Sequence, residues 1–87
     1  MSFREKIAGF LSLPAEIALN LPLAILTGRG ELNVENYKGI REYTETKVTI
    51  NTSSGMLAVE GKKLSIKQVT SENIVVTGRI DSLLYTD

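Results

Sequence analysis

The chain has 87 residues and contains no cysteine, no histidine and no tryptophan. Without thiols there is no disulfide, no thiolate nucleophile and no zinc–thiolate site. Either redox compartment is then tolerated. Without imidazole the chain lacks the commonest general base and metal ligand, and the side chain best suited to sensing pH. Aromatic residues make up only 6% of the sequence, which argues against stacking platforms for single-stranded nucleic acid or sugars. Net charge is missing too. The 10 basic and 10 acidic residues cancel, and no basic stripe marks a nucleic-acid surface. A chain near neutrality does little to oppose its own association.

A long uninterrupted apolar run is also absent. Residues 10–26 (FLSLPAEIALNLPLAIL) come closest, but they hold Glu16, Asn20, Pro14 and Pro22. A spanning helix needs about 17–25 apolar residues, and two prolines interrupt the backbone pairing that lipid demands. No basic region followed by a clean apolar stretch and a small-residue cleavage site is present. The segment therefore reads as a helix-turn-strand entry into the core. The alternative is a partly exposed apolar edge that meets a membrane or a membrane protein.

What is present is a repeat. Gly30-Glu31-Leu32-Asn33-Val34-Glu35-Asn36 recurs as Gly55-Met56-Leu57-Ala58-Val59-Glu60-Gly61, 25 residues on. A weaker echo runs Ile74-Val75-Val76-Thr77-Gly78. In both full copies a glycine opens a short alternating strand and a turn former closes it. Ahead of the repeat, Ser2 and Glu5 have capping-box spacing. Phe3, Ile7, Phe10 and Leu11 then share one helical face. Pro14 suits the first turn of a second helix over 14–19, and Pro22 stops it.

Beyond Pro22 the period changes from about 3.6 to 2. The alternation predicts strands around Leu23–Leu26, Leu32–Val34, Ile40–Tyr43 and Thr46–Thr52. Others fall at Leu57–Val59, Leu64–Ile66, Ile74–Val76 and Leu83–Tyr85. Turns are expected at Thr27–Gly30, Asn36–Gly39, Ser53–Gly55, Gly61–Lys63 and Ser71–Asn73. Short strands at this spacing predict a mainly β fold. The expected form is a compact solenoid-like or meandering layer with one or two N-terminal helices, and the alternative is a small open β-sandwich. One domain is expected over 1–87, with a helical cap over 1–21 and a repeated-strand region over 22–87. The ends of such a layer expose backbone donors and acceptors. The last strand, with Leu83, Leu84 and Tyr85, has no cover in the sequence and is a candidate docking surface. Tyr37, Lys38, Gly39 and Tyr43 are candidates on the turn and strand of residues 36–43, where tyrosines could anchor an interface.

No catalytic set emerges. Glu42 with Glu45, and Glu31 with Glu35, lie on exterior or turn positions beside basic residues, as solvated carboxylates do. Ser53, Ser54, Ser65 and Ser71 lack a histidine base. A dyad with Lys62, Lys63 or Lys67 is formally open, although alternation alone places Ser65 and Lys67 on one strand face. Gly28-Arg29-Gly30 lacks the following helix of a nucleotide loop. No D-x-D-x-D-G run offers calcium ligands. No catalytic residue, cofactor or metal site is expected.

Five segments together resemble the YabP/YqfC family of bacterial sporulation proteins. They are Ser2-Phe3-Arg4-Glu5-Lys6-Ile7, Leu13-Pro14-Ala15-Glu16, Glu35-Asn36-Tyr37-Lys38-Gly39-Ile40, Glu42-Tyr43-Thr44 and Gly78-Arg79-Ile80-Asp81. Their order and spacing look most like the YqfC branch and cover essentially the whole chain. The resemblance implies a non-enzymatic structural or adaptor role in endospore formation. It implies the mother-cell cytoplasm or its membrane surface as the place of action, and the membrane protein YqfD as a partner. Self-association is the companion expectation. A small-ligand or lipid-headgroup module is the alternative.

Overall fold

The computed structural model of the chain describes residues 20–87. The helices expected over residues 2–11 and 14–19 lie outside the described residues. Six strands follow: β1 (Leu23–Thr27), β2 (Glu31–Glu35), β3 (Tyr37–Tyr43), β4 (Lys47–Thr52), β5 (Gly55–Val69) and β6 (Asn73–Thr86). They form one antiparallel sheet in the order β1-β2-β6-β5-β4-β3. Every ladder but one joins consecutive strands, so the sheet is a meander closed by the pairing of β2 with β6.

Period-2 patterning makes these strands because each places alternate apolar residues on one face. The register assembles them into rows. Leu26, Leu32, Val76 and Ile66 form one row, and Ala24, Val34, Ile74 and Val69 form the next. At the other end of the long strands, Tyr43, Val48, Val59 and Leu83 line up, as do Ile40, Ile50, Leu57 and Tyr85. Leu32, Val34, Val48, Ile50, Leu57, Val59, Leu64, Ile74, Val76 and Ile80 from both sets share one buried cluster. Both copies of the repeat thus deliver a Leu-x-Val pair, Leu32 with Val34 and Leu57 with Val59, to the same core.

The sheet reaches this state by folding over its own apolar face. Tyr43 shares a row with Val59, and Ile66 lies seven residues farther along β5. A straight strand would separate those rows by about 24 Å. Instead the Ile66 amide donates to the Tyr43 phenol oxygen at 3.1 Å. β5 and β6 must therefore bend together. Their ladder shifts register between Glu60 and Gly61, Lys62 and Ser65, and Ile66 and Gln68. Such irregularities bend a ladder while keeping it paired. A Cβ on Gly61 would collide with the Arg79 carbonyl. Gly78 has φ +130°, and a Cβ there would stand 2.5 Å from the Lys63 oxygen. The crossing thus relies on two bare backbones. Across the bend, the Gly61 and Leu64 amides donate to the Thr46 and Glu45 carbonyls at 3.0 and 2.7 Å.

These geometries correct the expected boundaries. Gly61-Lys62-Lys63 is no reversal: β5 runs through it for 15 residues. Gly78 does not divide the last segments either, since β6 runs 14 residues through it. The strands are therefore not uniformly brief. Asn36–Gly39 is not a four-residue turn. Asn36 alone takes φ 62°, which asparagine tolerates, and Tyr37, Lys38 and Gly39 already belong to β3.

Candidate interaction edge

Among the described residues no group of three or more metal-ligating side chains comes together. The Glu42 carboxylate accepts from Thr49 Oγ1 at 3.5 Å, across the β3–β4 ladder. Ser65 lies beside the Tyr43 phenol, with the Lys67 charge nearby. Among the described residues every buried side-chain nitrogen or oxygen has a partner. No unsatisfied polar group therefore points at a missing ligand.

The seven candidate interface residues fall on two different edges. In the half of the sheet built from β3, β4 and the adjoining ends of β5 and β6, β3 is one margin and the end of β6 the other. Three strand spacings, about 14 Å, separate them. Tyr37, Lys38, Gly39 and Tyr43 lie on β3, and its two tyrosines are already engaged. The Tyr37 hydroxyl donates to the Thr70 carbonyl at 2.6 Å, while the Tyr43 oxygen accepts from Ile66. Tyr43 reaches the far half of β5 and Tyr37 the residue just beyond its end, and together they clasp that side of the fold shut. The Ile66 amide, helped by Ser65 and by the positive charge of Lys67, favours the phenolate and lowers the Tyr43 pKa below the usual tyrosine value. Gly39 meets no steric demand, since a Cβ there would find nothing within 4 Å.

Leu83, Leu84 and Tyr85 lie on the opposite margin, which no other described strand flanks. Residues 74–77 of β6 are paired on both sides, with β2 and β5, whereas among the described residues Ser82–Thr86 pair with β5 alone. The direction of their backbone groups follows from the ladder. The Gly78 and Ile80 amides point toward the β2 side, donating to the Gly30 and Arg29 carbonyls at 3.2 and 2.8 Å. Within one sheet, residues of a strand that share a face send their backbone groups to the same side. Leu83 and Tyr85 share the inner face with Val59 and Leu57, so their N–H and C=O groups also point that way. β2 no longer runs there. On the outer face Leu84 stands 61% exposed, and on the inner face Tyr85 is 46% exposed.

A charged cluster closes the near end of this edge. One Asp81 oxygen accepts from Arg29 Nη2 at 2.6 Å and from Arg79 Nε at 3.2 Å. Two guanidiniums on one carboxylate leave a net positive group. Sequence reasoning missed this cluster. Arg79 and Asp81 carried an i, i+2 signal, but Arg29 joins them only because its turn packs beside β6.

Among the described residues no helix is long and apolar enough to cross a membrane. The model of the YabP family matches residues 22–87, the whole of the β region. Two proteins of Bacillus subtilis (strain 168) are similar to the chain. One, named an uncharacterized protein YqfC, is 29% identical over 77 residues, covering 88% of this chain and 83% of its own length. The other, named the spore protein YabP, is 30% identical over 64 residues, covering 71% of this chain and 64% of its own. With its entire sheet inside the family model, this chain belongs to the YabP family.

Proposed function

We propose that the protein serves endospore formation as a structural or adaptor component, acting by contact rather than turnover. The observation that carries this reading is the edge at Ser82–Thr86, where backbone unpaired among the described residues accompanies exposed Leu84 and Tyr85. Such an edge is a template for strand addition. The spore protein among the relatives supplies the setting. The place of action is the mother cell, with the protein docked to a membrane partner such as YqfD or assembled with itself.

The test is genetic and biochemical. Deleting the gene in an endospore former should block spore maturation, and the wild-type gene should restore it. A Leu84→Lys gene, expressed at equal level, should not. Full recovery by Leu84→Lys would remove the edge from the function.

A lipid-headgroup module is the second reading, favoured by the exposed Leu21 and Leu26 near the entry to the sheet. Co-sedimentation with anionic vesicles that is lost on Leu26→Ser would support it. Absence of sedimentation would remove it.

A further inference from the structure

We infer that two copies of this chain pair antiparallel along Ser82–Thr86 of β6, with Leu84 at the two-fold axis. Asp87 of each copy then faces the Arg29–Arg79 guanidiniums of the other. This deepens the proposed contact role and rests on the same edge.

The backbone sets the register. Leu83 and Tyr85 carry the outward N–H and C=O groups, so they are the residues that exchange hydrogen bonds with a neighbouring strand. Antiparallel pairing of identical strands then sets Leu83 against the second copy's Tyr85, twice, with Leu84 opposite Leu84 between them. Ser82 falls opposite Thr86. The exposed Leu84 side chains meet on the outer face, and each exposed Tyr85 covers the partly buried Leu83 of the other copy.

Charge selects a second copy over an unrelated strand. One register step beyond Thr86, Asp87 reaches the level of Asp81. Asp81 is held by two arginines, and the cluster of three has a surplus positive charge. The edge segment Ser82–Thr86 is therefore followed by an acid, Asp87, that the arginine cluster preceding the segment attracts. The pairing satisfies this complementarity twice, once at each end of the ladder. A ladder of five residues spans about 17 Å, so this is an interface of the small, reversible class.

Sedimentation velocity on the full chain, over a concentration series up to roughly 1 mM, tests the inference. A reversible monomer–dimer equilibrium that weakens with added salt is expected. Leu84→Lys should abolish the dimer without changing the melting temperature. Asp87→Arg should weaken it at least tenfold, and the double variant R79E/D87R should recover most of that loss. A dimer that survives Leu84→Lys uses another surface and overturns the inference, as does a double variant no better than Asp87→Arg. A strict monomer at the highest concentration also overturns it. In that case the spore assay separates the two claims. If Leu84→Lys still blocks spore formation, the edge serves a different partner and the contact reading stands. If spores form normally, both fail.

Discussion

Tyr43 is 51% exposed, yet its oxygen is held by a backbone amide, and that changes its acidity. The bond from Ile66 favours the phenolate, so the folded group gives up its proton at a lower pH than the unfolded one. In the interval just below the ordinary value near 10, the unfolded chain holds the extra proton. Stability contributed by Tyr43 therefore rises with pH across that interval, persists above it, and is lost as pH falls back through the folded value. Phenolate absorbance should show one group ionising ahead of free tyrosine, and that component should vanish in Tyr43→Phe. A spectrum unaltered by Tyr43→Phe would contradict the hydrogen bond. The partner clasp at Tyr37 donates rather than accepts. Tyr37→Phe should cost about 0.5–1.5 kcal/mol, read as a lowered denaturation midpoint. At Gly78 the backbone itself is at stake. Gly78→Ala adds left-handed strain and a contact with the Lys63 carbonyl, for about 1–3 kcal/mol or more, and an unchanged melting temperature would count against the bend.

At the scale of the element, the sequence disclosed where residues face but not where strands end. The inward pairs Leu32 with Val34, Val48 with Ile50, Leu57 with Val59 and Ile74 with Val76 are all buried as their alternation requires. Glycine and asparagine misled, because a residue that permits a turn also permits a bend. Gly61 and Gly78 look like punctuation but let two long strands cross closely without parting. Tyr37 and Tyr43 stood out as tyrosines in a chain with few aromatics; Tyr37 packs partly buried against the core, and Tyr43 is exposed. Their clasp onto Thr70 and Ile66 was not legible, since it depends on a fold-over set by register shifts that carry no local signature. Leu83–Tyr85 was legible as a strand, and it forms part of β6. The element-scale expectation concerns Gly61→Val. It should break the β5–β6 ladder at the bend and expose the amides of Leu64 and Ile66 to hydrogen exchange together. Protection retained at both would refute a bent ladder.

Across the whole molecule, one sheet supplies both walls of one core. Leu57 and Ile74 belong to different halves yet share the same cluster with no exposed surface to speak of. Leu57→Ala should therefore cost about 2–5 kcal/mol, and it should lower protection in β2 as well as in β4. Loss confined to β4 and β5 would mean the halves are independent. The family assignment fits this scale: the matched residues 22–87 are the folded sheet and nothing less.

The continuity of β6 has a mechanical consequence. Its last residues carry the edge proposed for attachment, and its first residues lie between β2 and β5 in the middle of the sheet. A load taken up at Ser82–Thr86 runs straight along one backbone into that central ladder, where bonds resist in shear as a set instead of opening one after another. Attached at the proposed edge, the sheet would hold tension without first peeling off its own margin.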